Sequence, residues 1–194
     1  MQEKRFAVLF DADNNSKDYI KTVMDEVTDE GVVTYKRMYG DWTNSNLKSM
    51  KDIILEYSIT PMQQYAYTTG KNSTDSAMII DAMDILYTGK VDGFCLVSSD
   101  SDFTKLASRL REAGMYVIGM GKKQTPKAFV AACNRFKFVD LINEEVAKQE
   151  IEKKVKDNKF DKENFSKIFN EYCSSITEIS KSSLSEYVIR RKAI

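Results

Sequence analysis

The chain has 194 residues, and its 29 Lys and Arg side chains equal its 29 Asp and Glu side chains in number. This length suits one domain with an appendage. The absence of net positive charge argues against a protein that coats nucleic acid non-specifically, so contacts to phosphate require a local basic patch. The sequence contains no histidine. Ser-His-Asp and Cys-His catalysis, imidazole bases and His-containing zinc sites are therefore excluded.

The cysteines Cys95, Cys133 and Cys173 lie far apart in the sequence and form no C-x-x-C pair. They do not make a zinc site by themselves, and such a scattered odd set is typical of a reducing compartment. No N-terminal signal pattern and no long apolar span occur. We therefore expect a soluble, cytoplasmic protein without membrane contact.

Short apolar runs alternate with amphipathic stretches up to about residue 140. The apolar runs predict strands at residues 6–10, 32–39, 62–67, 93–97 and 116–120, and a short last strand at 136–139. Helical spacing predicts helices at residues 17–29, 46–57, 73–87 and 102–113, and another that begins at Thr125-Pro126. This alternation predicts the α/β class, with a single parallel sheet and right-handed crossovers.

The last part of the chain has a different composition, because residues 143–194 contain no Gly or Pro and many Lys and Glu. Apolar residues recur there at helical spacing, as in Phe165, Ile168 and Phe169. We predict a first domain at residues 1–142, followed by a charged helical linker and a small helical module at residues 143–194. These helices are candidates for contact with a second copy of the chain or with a protein partner.

Aspartates follow two of the predicted strands at the point where each strand ends. Asp11 comes directly after the run at 6–10, and Asp100 and Asp102 follow the run at 93–97. Asp75 stands at the start of the helix before the second of these strands. Ligands of open parallel sheets bind beyond the carboxyl ends of the strands, at a topological switch point. We therefore expect the carboxylates to lie close together.

Carboxylates gathered at one place repel each other, so they require protons or a cation. Mg²⁺ and Mn²⁺ prefer oxygen ligands, and such ions activate water and stabilise the leaving oxygen in phosphodiester hydrolysis. The pattern therefore predicts a divalent metal site. The alternative for Asp75 and Asp102 is that each only caps its helix. Asp81 and Asp84, farther along the helix, are expected to face solvent.

Three blocks of sequence resemble the NYN domain family, which belongs to the PIN-like superfamily of metal-dependent ribonucleases. The blocks are residues 10–14 (FDADN), 70–81 (GKNSTDSAMIID) and 97–103 (VSSDSDF). The resemblance covers roughly residues 5–142 and is greatest to the bacterial members described as LabA-like or limkain-related. It implies a PIN-like Rossmannoid domain that cleaves RNA, with single-stranded RNA as the expected substrate.

The resemblance also implies roles for individual residues. The Mg²⁺ or Mn²⁺ ligands would be Asp11, Asp75, Asp100 and Asp102. In support of them, Asn14 would hold Asp11, Ser98 and Ser99 would brace the carboxylates or touch phosphate, and Lys71 would contact RNA.

Further substrate contacts have to come from local positive charge and aromatic rings. Lys122, Lys123 and Lys127 follow the fifth predicted strand, on the same edge as the aspartates. Around the second predicted strand, the candidates are Lys36 and Arg37 for phosphate and Tyr39 and Trp42 for base stacking. Packing of Trp42 under its own loop is the alternative, because Trp is often buried.

Two alternative functions stay open. Residues 8–13 also resemble the first motif of haloacid-dehalogenase-like phosphatases, in which Asp11 would be the nucleophile and Asp13 the acid/base. Against this, Asn15 stands where that family usually has Thr. The other alternative is a catalytically silent RNA-binding or scaffold protein on the same fold, since a fold does not determine function.

Overall fold

The computed structural model describes residues 3–65 and 73–156, with side chains as far as residue 151. Its strands are β1 (Arg5–Asp11), β2 (Val32–Gly40), β3 (Thr60–Gln63), β4 (Gly93–Val97), β5 (Tyr116–Gly121) and β6 (Arg135–Phe138). They form one sheet in the order β3-β2-β1-β4-β5-β6, and every neighbouring pair is parallel. The predicted α/β class with a single parallel sheet is confirmed.

The helices of the described residues connect successive strands and continue the chain after the last one. They are α1 (Lys17–Thr28), α2 (Lys51–Glu56), α3 (Ser73–Thr88), α4 (Thr104–Glu112), α5 (Lys127–Ala132) and α6 (Val139–Lys156). Short 3-10 turns at Ser45–Met50 and Ser101–Phe103 precede α2 and α4. None of the described helices is long and apolar enough to cross a membrane.

The order of the strands creates a switch point between β1 and β4. From β1 the chain moves outward through β2 to β3, and then returns to place β4 on the other side of β1. These two strands pair from Phe6 opposite Gly93 to Phe10 opposite Val97. Asp11 and the turn that begins at Ser98 are therefore side by side at the carboxyl edge of the sheet.

Helices cover both faces of the sheet, and successive residues of β1 show how the two cores are divided. Phe6, Val8 and Phe10 pack with α1, α2 and the start of α6, whereas Ala7 and Leu9 pack with α3, α4 and α5. All of these residues of β1 are fully buried. A strand that is covered on both faces reads as a continuous apolar run, as this one does.

The third strand starts earlier than the sequence predicts. The expected strand was residues 62–67, whereas β3 spans Thr60–Gln63 and its first residues pair with Arg37 and Met38 of β2. The difference arises because β3 is at the edge of the sheet, where a proline such as Pro61 is tolerated. Part of the expected strand, residues 66–67, lies outside the described residues.

Asp81 joins α3 to β2 instead of facing solvent, so the expectation for this residue was wrong. Its carboxylate accepts hydrogen bonds from the Arg37 guanidinium and from the Tyr39 hydroxyl. Burial, with the bond to Asp81, raises the pKa of Tyr39, which keeps the hydroxyl protonated as a donor. Asp84, one turn farther along, is exposed as expected.

The contacts between residues group Met1–Glu144 as one compact unit and Glu145–Ile194 as another. The helix α6 runs through this division as far as Lys156. The predicted helical module, with Phe165, Ile168 and Phe169, lies outside the described residues. Its proposed contact with a second copy or a protein partner stays a prediction.

Gly93 offers a direct test of the packing between β1, β4 and β5. A Cβ atom at this position would lie 2.5 Å from the Tyr116 carbonyl oxygen and 2.6 Å from the Phe6 ring. We expect Gly93→Ala to lower the free energy of unfolding by about 1–3 kcal/mol, measured by urea denaturation.

The matched comparison is Gly89→Ala. Gly89 has a positive φ of +64° but open space around its Cα atom, so alanine there meets only backbone strain, about 1 kcal/mol. A loss at Gly93 no greater than the loss at Gly89 would contradict the tight packing described here.

Candidate metal centre

Three aspartates meet at the carboxyl edge of the sheet. Asp75 comes from the first turn of α3, and Asp100 and Asp102 come from the turn after β4. One carboxylate oxygen from each lies within 4.8 Å of the other two. Asp75 and Asp100 are half-buried and Asp102 is exposed, so the group is accessible from solvent.

The turn after β4 is held in shape by hydrogen bonds of its own residues. The Ser98 backbone N–H donates to the Met120 carbonyl oxygen over 3.0 Å, which extends the pairing with β5. The Ser98 hydroxyl oxygen accepts from the Asp100 backbone N–H over 3.0 Å. The Asp100 carboxylate in turn accepts from the Asp102 backbone N–H over 2.9 Å. Asp100 therefore caps the short turn, and the capping role that the sequence left open for Asp102 belongs to Asp100.

Asp11 is 1% exposed and forms the buried side of the site. One carboxylate oxygen accepts from the Asn14 amide over 2.6 Å and from the Ser98 hydroxyl over 2.7 Å. The other accepts from the Asp13 backbone N–H over 3.1 Å. Burial raises the pKa of Asp11, and the bonds from Ser98 and Asn14 oppose this rise. The contacts are those that the resemblance implied for Asn14 and Ser98.

Asp11 does not belong to the group of three whose oxygen atoms converge among the described residues. It acts on that group through its charge, because repulsion from Asp11 is, after burial, the largest cause of the raised pKa of Asp75. The four predicted aspartates thus separate into a close group of three and one buried neighbour. A direct bond from Asp11 to a metal ion stays a prediction.

The pKa of Asp75 is raised by its burial and by the neighbouring carboxylates. Burial, followed by repulsion from Asp11, Asp100 and Asp102, raises the pKa of Asp75 from 3.8 to about 6. A cation placed among these oxygens would reverse the effect, because it favours the ionised carboxylates. The donors are all carboxylate oxygens, which fits Mg²⁺ or Mn²⁺ and not a soft metal.

Ser99 connects the turn after β4 with the turn after β5. Its hydroxyl oxygen accepts from the Lys122 backbone N–H over 2.9 Å. A Cβ atom at Gly121 would lie 2.5 Å from the Ser98 carbonyl oxygen, so the two turns approach closely. Ser99 therefore joins the two turns, and its implied role in bracing the carboxylates or touching phosphate stays a prediction.

The predicted basic contacts differ in their surroundings. Lys123 and Lys127 are exposed, and the Lys122 ammonium lies 6.0 Å from the centre of the Tyr19 ring. The Lys123 backbone N–H is bound by the Asp140 carboxylate, at 2.9 Å for the nearer oxygen. Lys71 lies outside the described residues.

The residues of β2 that were candidates for substrate contact have structural partners instead. Lys36 donates to the Tyr57 carbonyl oxygen, and Arg37 forms an ion pair with Asp81. Tyr39 is 1% exposed, so its ring cannot stack on a base. The Trp42 ring packs against the apolar core and its Nε1–H donates to the Met62 carbonyl oxygen over 3.1 Å. These contacts favour the packing alternative for Trp42.

Asn15 is a residue of this site that the sequence interpretation missed. Its side-chain amide nitrogen donates to the Asp11 carbonyl oxygen over 2.6 Å and to the Val97 carbonyl oxygen over 2.8 Å. The amide thereby connects the ends of β1 and β4. The sequence signal was an Asn four residues after a strand-end Asp, but this pattern is also common in ordinary turns.

The same surroundings argue against Asp11 as a phosphatase nucleophile. A nucleophilic carboxylate needs an oxygen that can reach the substrate, whereas both oxygens of Asp11 are buried and hydrogen-bonded. Asp13 is exposed, but an acid/base residue needs an accessible nucleophile beside it, and the Asp11 carboxylate is buried.

The fold resembles a solved structure of a protein of unknown function from Vibrio parahaemolyticus. The two chains are 20% identical, the alignment covers 70% of this chain and 94% of the other, and the TM-score is 0.57. This similarity concerns the fold alone.

Two dehydrogenase structures have lower similarity to this chain. A putative dehydrogenase from Bordetella bronchiseptica is 12% identical, with 68% of this chain and 29% of that chain covered and a TM-score of 0.36. The WlbA dehydrogenase from Bordetella pertussis, in complex with NADH and UDP-GlcNAcA, is 16% identical, with 82% and 41% covered and a TM-score of 0.37.

No curated protein matches the sequence significantly. The sequence profile of the NYN domain matches residues 5–142, the same part of the chain that carries the sheet and the three converging aspartates. The chain therefore belongs to the NYN domain family, a family of PIN-like nucleases.

Proposed function

We propose that this protein is a metal-dependent ribonuclease that hydrolyses phosphodiester bonds of single-stranded RNA. The observation that carries the proposal is the convergence of the Asp75, Asp100 and Asp102 carboxylates within 4.8 Å at the switch point of the sheet. Membership in a family of PIN-like nucleases supports the same chemistry. The absence of histidine is consistent with it, because carboxylates and a metal ion need no imidazole.

Each residue of the centre has a distinct part in the proposed reaction. Asp75, Asp100 and Asp102 would hold Mg²⁺ or Mn²⁺, which when bound supplies Lewis acidity and lowers the pKa of water. Asp11 would add negative charge from the buried side and keep the turn at Ser98 in place through the 2.7 Å bond from the Ser98 hydroxyl. Fixed geometry of this kind reduces the reorganisation needed during reaction.

Positive charge near the centre would attract the RNA backbone. Lys123 and Lys127 are exposed in and after the turn that follows β5, and the backbone N–H of Lys122 in the same turn donates to Ser99. Because the whole chain has no net charge, this local group is the main candidate for phosphate contact. We propose an extended single strand as the substrate, since the carboxylates must reach the backbone of one strand.

Replacement of Asp100 with Asn tests the proposed function. The amide keeps the size of the side chain and an acceptor oxygen for the Asp102 N–H, but it removes one negative charge from the metal ligands. We expect cleavage of a labelled single-stranded RNA with Mn²⁺ or Mg²⁺ to fall by about a hundredfold or more, because a metal-ion contribution of several kcal/mol is lost.

The control for this experiment is Asp84→Asn. Asp84 is exposed on α3, the helix that also carries Asp75, and its replacement makes the same change of charge away from the centre. The Asp84→Asn variant should cleave the RNA at the rate of the original protein. If the unaltered protein cleaves no RNA with either metal, or if Asp100→Asn cleaves at the original rate, the ribonuclease proposal is wrong.

The raised pKa of Asp75 predicts that metal binding depends on pH. Protons and the metal ion compete for this carboxylate, so protonation as the pH falls through about 6 should weaken the binding of Mn²⁺. Titration calorimetry over the range around this pKa would show affinity falling toward acid pH. In Asp75→Asn the affinity should be lower throughout and its pH dependence smaller. Equal pH dependence in both proteins would show that Asp75 is not a ligand.

A further inference from the structure

A cavity of about 400 Å³ opens at the carboxyl edge of the sheet, between the turns that follow β1 and β2. Ala12, Asn15 and Ser16 line it from the first turn, and Asn44, Asn46 and Ser49 from the second. Sites for small molecules range from roughly 300 to 1,000 Å³. This cavity is at the lower end, which suits one nucleoside and not a stacked duplex.

The orientation of the Asn15 amide follows from its partners. Its nitrogen donates to two carbonyl oxygens, those of Asp11 and Val97, and a carbonyl oxygen can only accept. The nitrogen therefore has to lie on the side of the strand ends. The amide oxygen is left for another group, and it can only accept a hydrogen bond. A ligand at this wall has to bring a donor.

Asn44 supplies the opposite polarity. Its side-chain oxygen accepts from the Asn46 backbone N–H over 3.0 Å, which caps the turn at Ser45–Met50. The Asn44 amide nitrogen is left as a donor, and Asn44 lines the cavity from the turn after β2, whereas Asn15 lines it from the turn after β1. A donor and an acceptor on separate turns complement the Watson–Crick edge of an unpaired base, which presents both kinds of group.

The loop before Asn44 is already held in place. The Asp41 carboxylate accepts from the Thr43 backbone N–H over 3.1 Å and from the Gln63 amide over 2.9 Å. Gln63 also accepts from the Trp42 backbone N–H over 2.9 Å. These bonds fix the loop against the end of β3, so less conformational entropy is lost when a ligand binds.

The rest of the lining is apolar or nearly balanced in charge. Leu47 and Met50 are buried residues that give the cavity an apolar surface, suited to the face of a base. One cationic residue, Lys17, and one anionic residue, Asp13, also line it. A site for a free phosphate would need an excess of positive charge, so the lining fits a base and its ribose better.

Asp13 joins this cavity to the acidic centre. It lies two residues after Asp11, to whose carboxylate its backbone N–H donates over 3.1 Å. Because β2, β1 and β4 are parallel neighbours, the turns that line the cavity and the turn that carries Asp100 and Asp102 are on the same edge of the sheet.

We propose that the cavity between the turns after β1 and β2 binds one nucleoside of a single-stranded RNA, next to the phosphate that is cleaved. The proposal rests on the ribonuclease function proposed above and extends it, because it assigns the recognition of the base to Asn15 and Asn44.

Single negative charges on one turn test this proposal. Asn46→Asp and Ser49→Asp each place a charge on the cavity wall, whereas Ser45→Asp places the same charge on the same turn outside the cavity lining. All of these positions are exposed, so the variants should fold, which thermal unfolding would check. The probes are short fluorescent single-stranded RNA homopolymers of each base, in EDTA for binding and in Mn²⁺ for cleavage.

We expect Asn46→Asp and Ser49→Asp to weaken binding and to raise KM by about tenfold, because a carboxylate on the cavity wall repels the negatively charged RNA. Because this repulsion acts equally on the bound substrate and on the transition state, kcat should change little. Ser45→Asp should differ from the original protein by much less. If the three variants bind RNA equally, or if the unaltered protein binds no RNA, the proposal is wrong.

The two proposals fail in different ways. If the unaltered protein binds RNA in EDTA with the expected pattern of variants but cleaves none in Mn²⁺, the cavity proposal stands and the ribonuclease proposal is wrong. If the unaltered protein cleaves RNA and the variants leave KM unchanged, the ribonuclease proposal stands and the cavity proposal is wrong. Photo-crosslinking of RNA that contains 4-thiouridine to the unaltered protein gives a second measurement, with crosslinks expected at residues 44–50. Crosslinks only elsewhere would contradict the cavity proposal.

Discussion

The parallel pairing of β1 with β4 is the constraint on which the candidate site depends. It places Asp11, the last residue of β1, beside Ser98, the first residue after β4. The bond from the Ser98 hydroxyl to Asp11 then ties the strand end to the turn that carries Asp100 and Asp102. Asn15 strengthens the same junction by binding the backbone of both strand ends. The geometry of the acidic group is thus built on the sheet and not on a separate loop.

Gathering carboxylates at this edge has an electrostatic cost that a divalent ion would remove. Asp75 shows that cost, because its pKa is raised by burial and then by repulsion from Asp11, Asp100 and Asp102. The hydrogen bonds that Asp11 accepts from Asn14 and Ser98 lessen this electrostatic cost only on the buried side. The exposed side, with Asp102, is open to solvent and to an ion. The cavity beside Asp13 continues this surface in the direction of the turn after β2.

The features that the sequence predicts well are those with a local physical signature. Buried strands such as β1 and β4 appear in the sequence as apolar runs. Because these two strands pair in parallel, the residue that follows one strand lies beside the residue that follows the other. The resemblance to the NYN family identified Asp75, which a helix start alone would not distinguish from a cap. The family match confirms that resemblance over residues 5–142.

Other features depend on contacts between distant segments, which no periodic pattern reveals. Asp81 looks like a solvent-facing position on α3, and only the approach of Arg37 and Tyr39 from β2 makes it a half-buried hydrogen-bond acceptor. From the sequence alone, Trp42 is a candidate for base stacking. Its bond to the Met62 carbonyl oxygen and its packing against the core are visible only in the structure. The separation of Asp11 from the converging group likewise follows from three-dimensional distances that sequence spacing does not contain.

The most direct test of a metal centre in this protein is the anomalous scattering of Mn²⁺ in crystals of the full chain. The account predicts a peak about 2.1 Å from carboxylate oxygens of Asp75, Asp100 and Asp102, the distance usual for a small hard cation. Loss of that peak in crystals of Asp100→Asn would connect it with the same group. An anomalous peak found only elsewhere on the chain would contradict the account. The absence of a peak at a concentration of Mn²⁺ that supports cleavage would contradict it as well.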